Sequence, residues 1–331
     1  WLDNKRDVSI VRRGYDLFHS IQYMADIIRH LPQMRGYDVV QVTNPVFFDL
    51  RPEKNWAIFK YLKKHNKKIF LDALAIDHYY VKACLDGKTF RYSDFFVGDR
   101  PLPHPEREKM LAAWIGGPNE RPNIEMAQEA NGIIACLYEY YAAYQPEYAD
   151  KLAYIPIPID LSINPFHPIK STPEVVKFFI GIQQHRTAIK GTDILLDVLR
   201  EIHDKYPRES HIQKVVSVPF DEYNKLLVDC HILLDQLYSY TPATNALAAM
   251  ARGIIAVSGA EPEFYNFIGE QKLRPIINVL PDRNDIFKQL ENLIIHRDQL
   301  PRLSTESRQF VEKYHDHVKV ARQYLEFWEK H

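Results

Sequence analysis

Cysteine is scarce in this sequence. Cys84, Cys136 and Cys230 are the three cysteines in 331 residues, and no Cys-x-x-Cys pair occurs. An odd number of widely spaced cysteines argues against a disulfide scaffold and against a cysteine-based zinc site, and it is typical of a reducing compartment. We therefore predict a cytoplasmic protein. A location at the inner face of the membrane is the alternative.

Long apolar runs and an excess of one charge are also missing. No run approaches the roughly 20 apolar residues that a helix needs to span a bilayer. No signal peptide is visible, although an earlier segment could precede Trp1. The formal net charge is −1, so no global field favours nucleic acid or an anionic membrane. We predict no nucleic-acid partner. A peripheral membrane contact stays open, and the sequence does not indicate the oligomeric state.

Several catalytic fingerprints do not occur. The sequence contains no GxSxG, no Walker loop, no GxGxxG and no HExxH. Serine hydrolases, P-loop enzymes, dinucleotide-dependent dehydrogenases and zinc peptidases of these types therefore lack their characteristic motifs here. We predict no metal site and no bound cofactor.

The second half of the chain alternates short apolar segments with amphipathic segments. Uniformly apolar strands are covered on both faces, so this alternation predicts a doubly wound parallel sheet. The predicted strands are Val175–Ile180, Val215–Val218, His231–Leu234, Ile254–Val257 and Pro275–Leu280. The predicted helices are 191–203, Phe220–Asp229, Thr244–Ala251, Asp285–Ile295 and Ser304–Trp328.

The first half repeats this alternation less regularly. Its predicted strands are 37–42, 69–74, 131–137 and 153–157, and its predicted helices are 56–65 and 106–114. The segment 155–173 is rich in proline and predicts a hinge between two domains. We expect two Rossmann-like α/β domains that face a cleft: residues 1–157, whose first βα unit could precede Trp1, and residues 158–310. Residues 311–331 are expected to form a helix that packs back on the first domain.

Ligand-binding residues are expected just after the strands, because open parallel sheets bind ligands beyond the carboxyl ends of their strands. Gly181 would permit a close approach of the backbone. Arg186 and Lys190 then place two cations before a helix, where a diphosphate would meet both charges and the helix N–H groups. Solvated loop charges are the alternative, and the two interpretations are about equally supported.

Two later strand ends carry further candidates. Tyr240, Thr241 and Asn245 precede a helix of small residues, for which tight helix–sheet packing is the alternative. Glu261 and Glu263 follow the next strand. Their carboxylates could accept hydrogen bonds from ribose hydroxyls, or they could simply favour the start of a helix.

In the first domain, Asp77 and His78 follow the strand 69–74. An aspartate there could serve as a base or anchor a hydroxyl, and a histidine could carry a proton near neutral pH. A structural role is the alternative for both.

The ordered set of motifs in the second half resembles the donor domain of glycosyltransferase family 4, a retaining family with the two-domain GT-B fold. The matching features are, in chain order, Arg186, Lys190–Gly191, Tyr223–Leu227, Leu233–Asp235, Asn245–Gly253 and Glu263. The resemblance implies that Arg186 and Lys190 hold the donor diphosphate. It implies that Glu263, with its neighbour Glu261, contacts the donor sugar or ribose.

The resemblance also implies an activity. It points to transfer of a sugar from a nucleotide sugar, UDP- or GDP-linked, to a carbohydrate or lipid-linked acceptor in polysaccharide biosynthesis, with no metal required. A catalytic-site residue is expected after a strand of the acceptor domain, which makes Asp77 and His78 candidates together with Glu263.

The sequence departs from the family at one place. Family members usually carry two glutamates eight positions apart, where this chain has Tyr240 and Ala248. Glu263 could take over their work, or the site could use Tyr240, Thr241 and Asn245. The departure keeps a second hypothesis open, a non-catalytic nucleotide- or sugar-binding protein or partner subunit. A sugar-nucleotide epimerase is a third.

Overall fold

The computed structural model describes residues 10–103 and 106–331, with side chains from residue 19 onward. Two parallel sheets with helices on their faces make up most of it. The strands, in chain order, are β1 (Val39–Val42), β2 (Lys68–Ala73), β3 (Phe96–Val97), β4 (Arg100–Pro101), β5 (Gly132–Ala135), β6 (Leu152–Tyr154), β7 (Val176–Ile182), β8 (Ser210–Val216), β9 (Ile232–Leu234), β10 (Ile255–Ser258) and β11 (Ile277–Asn278).

The α-helices alternate with these strands. In chain order they are α1 (Ile10–His30), α2 (Pro52–His65), α3 (His78–Leu85), α4 (Arg107–Trp114), α5 (Glu120–Glu129), α6 (Tyr138–Tyr148), α7 (Thr187–Lys190), α8 (Thr192–Lys205), α9 (Phe220–Leu227), α10 (Thr244–Ala251), α11 (Pro262–Phe267), α12 (Arg283–Ile295), α13 (Leu300–Tyr314) and α14 (His317–Lys330).

Each sheet has its own apolar core. The first sheet has the order β1-β2-β5-β6 and the second the order β11-β10-β9-β7-β8, and every strand pair in them is parallel. The first core includes Phe59, Ile69 and Ile133, and the second includes Phe178 and Leu199, all fully buried. Removal of these side chains from water is the main force that holds each domain together.

The strand–helix alternation predicted for the second half is confirmed, but several elements differ. The prediction does not include the short helices α7 and α11, and the strand predicted at 275–280 is only Ile277–Asn278. The strand predicted at 215–218 runs from Ser210 to Val216. The single helix predicted over Ser304–Trp328 is two helices, because the helix is interrupted at residues 315–316. The Asp316 carboxylate there accepts hydrogen bonds from the Val318 and Lys319 N–H groups and so starts a new helix.

The last helix packs on the first domain although it follows the second in the chain. The indole of Trp328 donates to Oε1 of Gln41 at 3.0 Å, and the Phe327 ring lies against Gly132, where a Cβ would be only 2.8 Å away. Ile159, in the linker between the sheets, exchanges backbone hydrogen bonds with His315 and His317. The linker that precedes the second domain is thus hydrogen-bonded to the segment between α13 and α14 that follows it.

No helix in the described part of the chain is both long enough and apolar enough to cross a bilayer.

One buried acid couples this packing to pH. Asp72 on β2 is 8% exposed; its Oδ2 accepts a hydrogen bond from Gln41, and its Oδ1 has no partner among the described residues. Burial raises the pKa of Asp72 to about 7, against the lowering effect of the Gln41 hydrogen bond. Between these two pKa values the folded protein therefore keeps the Asp72 carboxyl protonated. In the unfolded chain, where the pKa of Asp72 is near its ordinary value of 3.8, the same carboxyl has released its proton.

This shift predicts a pH-dependent loss of stability. The contribution of Asp72 to the free energy of unfolding is fully present below about pH 4 and is lost as the pH rises to about 7. Asp72→Asn should remove that loss and stabilise the first domain at pH 8 by about 1–3 kcal/mol, with little effect at pH 4. Urea unfolding at the two pH values measures the difference. Asp150→Asn, an exposed position, is the control, and an equal effect of both variants would contradict the prediction.

Candidate functional site between the two domains

A cavity of about 290 Å³ lies between the two domains. The first domain contributes aromatic and acidic side chains to its wall, and the second contributes cationic and amide side chains. The lining residues are Tyr80, Asp94, Leu137, Glu139 and Tyr140 from the first domain, and Arg186, Ile189, Lys190, Asp235, Gln236, Tyr238, Ser239, Ala243, Thr244 and Asn245 from the second.

The two cations follow β7, at the carboxyl edge of the second sheet. Arg186 is exposed and Lys190, at the end of α7, is half-buried. Gly191 then turns the chain with φ +65°, and its Cα lies so close to Leu237 that an added Cβ would be 2.8 Å from Leu237 Cβ. The Leu237 N–H donates to the Lys190 carbonyl at 2.8 Å. This turn places Lys190 beside the loop that follows β9.

The Lys190 ammonium has one acidic neighbour in the cavity wall. Its Nζ lies 3.9 Å from Oδ1 of Asp235, whose side chain is only 2% exposed. The same Oδ1 accepts a hydrogen bond from Asn245 Nδ2 at 2.9 Å, and Asn245 Oδ1 accepts one from the Tyr223 hydroxyl at 3.0 Å. Asp235 therefore holds both Lys190 and Asn245 in position at the cavity.

The amino end of α10 faces the same cavity. Ala243 is its N-cap and offers no side-chain acceptor, and Thr244 and Asn245 form its first turn. The first N–H groups of a helix carry a partial positive charge and bind anions. Together with Arg186 and Lys190, this end of α10 makes one wall of the cavity suited to an anionic ligand such as a diphosphate.

The opposite wall carries two acids that the sequence analysis did not select, Asp94 and Glu139. Glu139, in the first turn of α6, is buried and reaches across to the second domain. Its Oε1 accepts from the N–H groups of Tyr240 and Thr241 at 2.6 and 3.0 Å, and its Oε2 accepts from the Thr241 hydroxyl. Burial raises the pKa of Glu139, while the bonds from Thr241 and the Tyr240 N–H lower it.

Tyr240 lies in an aromatic contact between the domains and does not line the cavity. Its ring centroid is 4.9 Å from that of Tyr92 and 5.4 Å from that of Phe90. Its hydroxyl accepts a hydrogen bond from the Arg91 N–H at 2.6 Å. The family that this chain resembles usually has a glutamate at this position. Here the position is Tyr240, whose aromatic ring packs against the loop 86–103 of the first domain.

Glu261 and Glu263 contact that loop as well. The guanidinium of Arg91 bonds to both carboxylates. Glu261 is 2% exposed and also accepts from the Tyr92 hydroxyl at 2.5 Å and from Asn278 Nδ2 at 2.9 Å. Neither glutamate lines the cavity, so contact with a donor would require Arg91 to move.

Asp77 and His78 lie in the core of the first domain. Asp77 caps α3 and accepts from the Tyr80 N–H and the Tyr144 hydroxyl, both at 2.8 Å. Burial raises the pKa of Asp77 to about 6, against these hydrogen bonds. The ring Nδ1 of His78 lies 2.9 Å from the Trp114 carbonyl. Their contacts are structural, and their predicted catalytic role stays a prediction.

The structure therefore brings together Arg186, Lys190 and Asn245 from the predicted set. Gly181 does not line the cavity; an added Cβ would be 2.5 Å from the Tyr223 ring, so its small size admits that ring. Glu139 follows β5 closely, and the strand-end rule could have selected it. Asp94 lies in a loop that no predicted strand precedes.

Within the described residues, no three His, Cys, Asp or Glu side chains converge as a metal site.

No protein-family model matches the sequence, and no curated protein matches it significantly. Solved structures match its fold. HepE of Anabaena in complex with UDP and glucose aligns with a TM-score of 0.58 at 12% identity, over 92% of this chain and 81% of that one. Sucrose-phosphate synthase from Thermosynechococcus elongatus gives 0.59 at 12%, over 99% and 82%. A glycosyltransferase from Rickettsia africae gives 0.53 at 13%, over 100% and 84%. The predicted GT-B fold is confirmed.

The turn at Gly191 provides a test of how the cationic wall is built. Gly191→Ala should destabilise the second domain by about 1–3 kcal/mol, because alanine is strained at φ +65° and its Cβ would meet Leu237. Gly87→Ala is the matched control, since Gly87 has the same φ and open space around it. Urea unfolding should show the larger loss for Gly191→Ala. Equal losses would mean that the contact with Leu237 contributes nothing.

Proposed function

We propose that this chain is a glycosyltransferase that takes a UDP- or GDP-linked sugar as donor. The observation that carries the proposal is the cavity, in which Arg186, Lys190 and the amino end of α10 face Asp94 and Glu139 across a GT-B cleft. The cationic wall suits a donor diphosphate, and the acidic wall suits hydroxyl groups. The neighbours solved with UDP are consistent with this proposal.

The chemistry proposed for the cationic wall is charge stabilisation. When the bond between the sugar and the diphosphate breaks, negative charge grows on the leaving phosphate oxygen. Arg186, Lys190 and the N–H groups of α10 are already in place to stabilise that charge, so little reorganisation is needed during reaction. Two cations and a helix end can do this work, so the proposed chemistry does not require a metal ion.

The acceptor is proposed to enter from the first domain and to be a carbohydrate or a lipid-linked sugar. A lipid-linked acceptor would bring the protein to the inner face of the membrane. The contacts that Glu139 and Arg91 make across the cleft would exclude water during transfer, which protects the donor from hydrolysis.

One observation favours a second candidate, a non-catalytic protein that binds a nucleotide or a nucleotide sugar. The two glutamates typical of the resembling family are replaced by Tyr240 and Ala248, and Tyr240 is directed into the aromatic contact. Such a protein would bind a nucleotide in the same cavity but would not turn over a donor.

The diphosphate assignment predicts the effect of removing Lys190. Lys190→Ala should weaken the binding of UDP or GDP by about 1.5–3 kcal/mol, which is roughly 10- to 150-fold in Kd, because a charged hydrogen bond to phosphate is lost. Isothermal titration calorimetry measures the affinity. Lys214→Ala removes an exposed charge of the same domain and should leave the affinity unchanged. Unchanged affinity in a folded Lys190→Ala protein would remove the assignment.

The proposed retaining mechanism has a separate test. A retaining transferase gives a product with the anomeric configuration of its donor, because the new bond forms on the face that the diphosphate leaves. With UDP-glucose or GDP-mannose, both α-linked, proton NMR of the first product should show an α-anomeric signal. A β-anomer as the initial product would contradict retention while leaving the donor site intact.

A further inference from the structure

The proposed phosphate site is assembled from two separate segments of the second domain. Lys190 comes from the turn between α7 and α8, and the amino end of α10 follows β9. Asp235, directly after β9, contacts both parts: its Oδ1 lies 3.9 Å from Lys190 Nζ and accepts a hydrogen bond from Asn245 Nδ2 at 2.9 Å. An acid in this place needs an explanation, because its negative charge repels a diphosphate.

A chain of hydrogen bonds fixes the orientation of the Asp235 carboxylate. The Tyr223 hydroxyl of α9 donates to Asn245 Oδ1 at 3.0 Å, so the Asn245 amide turns its Nδ2 toward Asp235. The Tyr223 ring is packed edge-on against Phe179, with the ring centroids 5.0 Å apart, and it lies beside Gly181. The position of the acid is therefore set by packed neighbouring elements.

Lys190 is the cation that compensates the buried charge of Asp235. The Asp235 side chain is 2% exposed, and its Oδ2 has no hydrogen-bond partner among the described residues. An uncompensated buried charge is costly, and in the described part of the chain Lys190 is the one cation at ion-pair distance from this carboxylate. At 3.9 Å the contact is an ion pair and not a hydrogen bond, so the N–H groups of Lys190 stay available to a ligand.

We propose that Asp235 is a positioning residue that keeps the Lys190 ammonium at the cavity wall where the diphosphate binds. Tyr223 and Asn245 orient the carboxylate, the carboxylate orients Lys190, and Lys190 contacts the phosphate oxygens. Without the carboxylate, the flexible four-carbon side chain of Lys190 is free to sample other rotamers, and ligand binding must then order it. The assignment rests on the proposed transferase function, because it requires a donor diphosphate in this cavity.

The variant Asp235→Asn, in the full chain, distinguishes positioning from simple repulsion. Asparagine keeps the size of the side chain and an oxygen that can accept from Asn245, but it has no charge to attract Lys190. Repulsion alone predicts tighter binding of UDP or GDP. We expect binding roughly 3- to 10-fold weaker, because the ligand must now order the Lys190 side chain. Calorimetry measures the Kd. Asp229→Asn, at an exposed position of the same domain, is the matched control and should leave the Kd unchanged.

A double-mutant cycle separates action through Lys190 from a general structural role. In the Lys190→Ala background, Asp235→Asn should no longer weaken nucleotide binding, whereas a general loosening of the domain would weaken it by the same factor in both backgrounds. If Asp235→Asn does not fold, Tyr223→Phe decides, because it removes only the hydroxyl that orients Asn245. It should weaken binding less than Asp235→Asn, and this loss should also disappear in the Lys190→Ala background.

Three results would overturn the positioning role and leave the transferase proposal standing. They are unchanged or tighter binding by a folded Asp235→Asn protein, an equal loss in both backgrounds, and, where Asp235→Asn does not fold, unchanged binding by Tyr223→Phe. Failure of the unmodified chain to bind both UDP and GDP would instead contradict the proposed function itself.

Discussion

The contact between Glu139 and the 240–241 segment fixes how the two domains face each other at the site. A single carboxylate of α6 satisfies two backbone N–H groups and one hydroxyl of the other domain. Those donors would otherwise be buried without partners, which costs more than the net gain of an ordinary hydrogen bond. Glu139 also lines the cavity, so this contact forms part of the cavity wall.

The contact also determines the charges that surround a ligand. Burial, together with the negative charge of the nearby Glu139, raises the pKa of Asp94 to about 7. Across the cavity, the nearly buried carboxylate of Asp235 contacts both Lys190 and Asn245. One wall of the cavity is therefore cationic, and the other carries the two carboxyl groups of Asp94 and Glu139.

The loop 86–103 of the first domain contacts Tyr240, Glu261 and Glu263 of the second domain. Tyr240 packs against Phe90 and Tyr92, and Arg91 takes both Glu261 and Glu263 as partners. Residues that the family resemblance assigns to the donor are thus bound to the first domain. An acid of that same loop, Asp94, lies in the cavity instead.

The sequence was sufficient for the βα alternation of the second domain and for the position of Arg186, Lys190 and Asn245 at strand ends beside one cavity, because apolar runs and strand ends are local patterns. What these three residues bind stays a prediction. It was not sufficient for α3 or α6. α3 is buried along most of its length and α6 contains Pro146, so neither shows clear helical periodicity. Asp94 could not be found from local pattern either, since only tertiary packing of its loop brings it to Arg186. Asp77 followed the strand-end rule, but its carboxylate caps α3.

We propose that the cavity between the domains holds the diphosphate of a nucleotide sugar. The most direct test is an experimental structure of the chain in complex with UDP or GDP. A diphosphate site in this cavity predicts diphosphate density within hydrogen-bond distance of Arg186, Lys190 and the first N–H groups of α10. A nucleotide bound elsewhere, with the cavity between Asp94 and Lys190 empty, would contradict it.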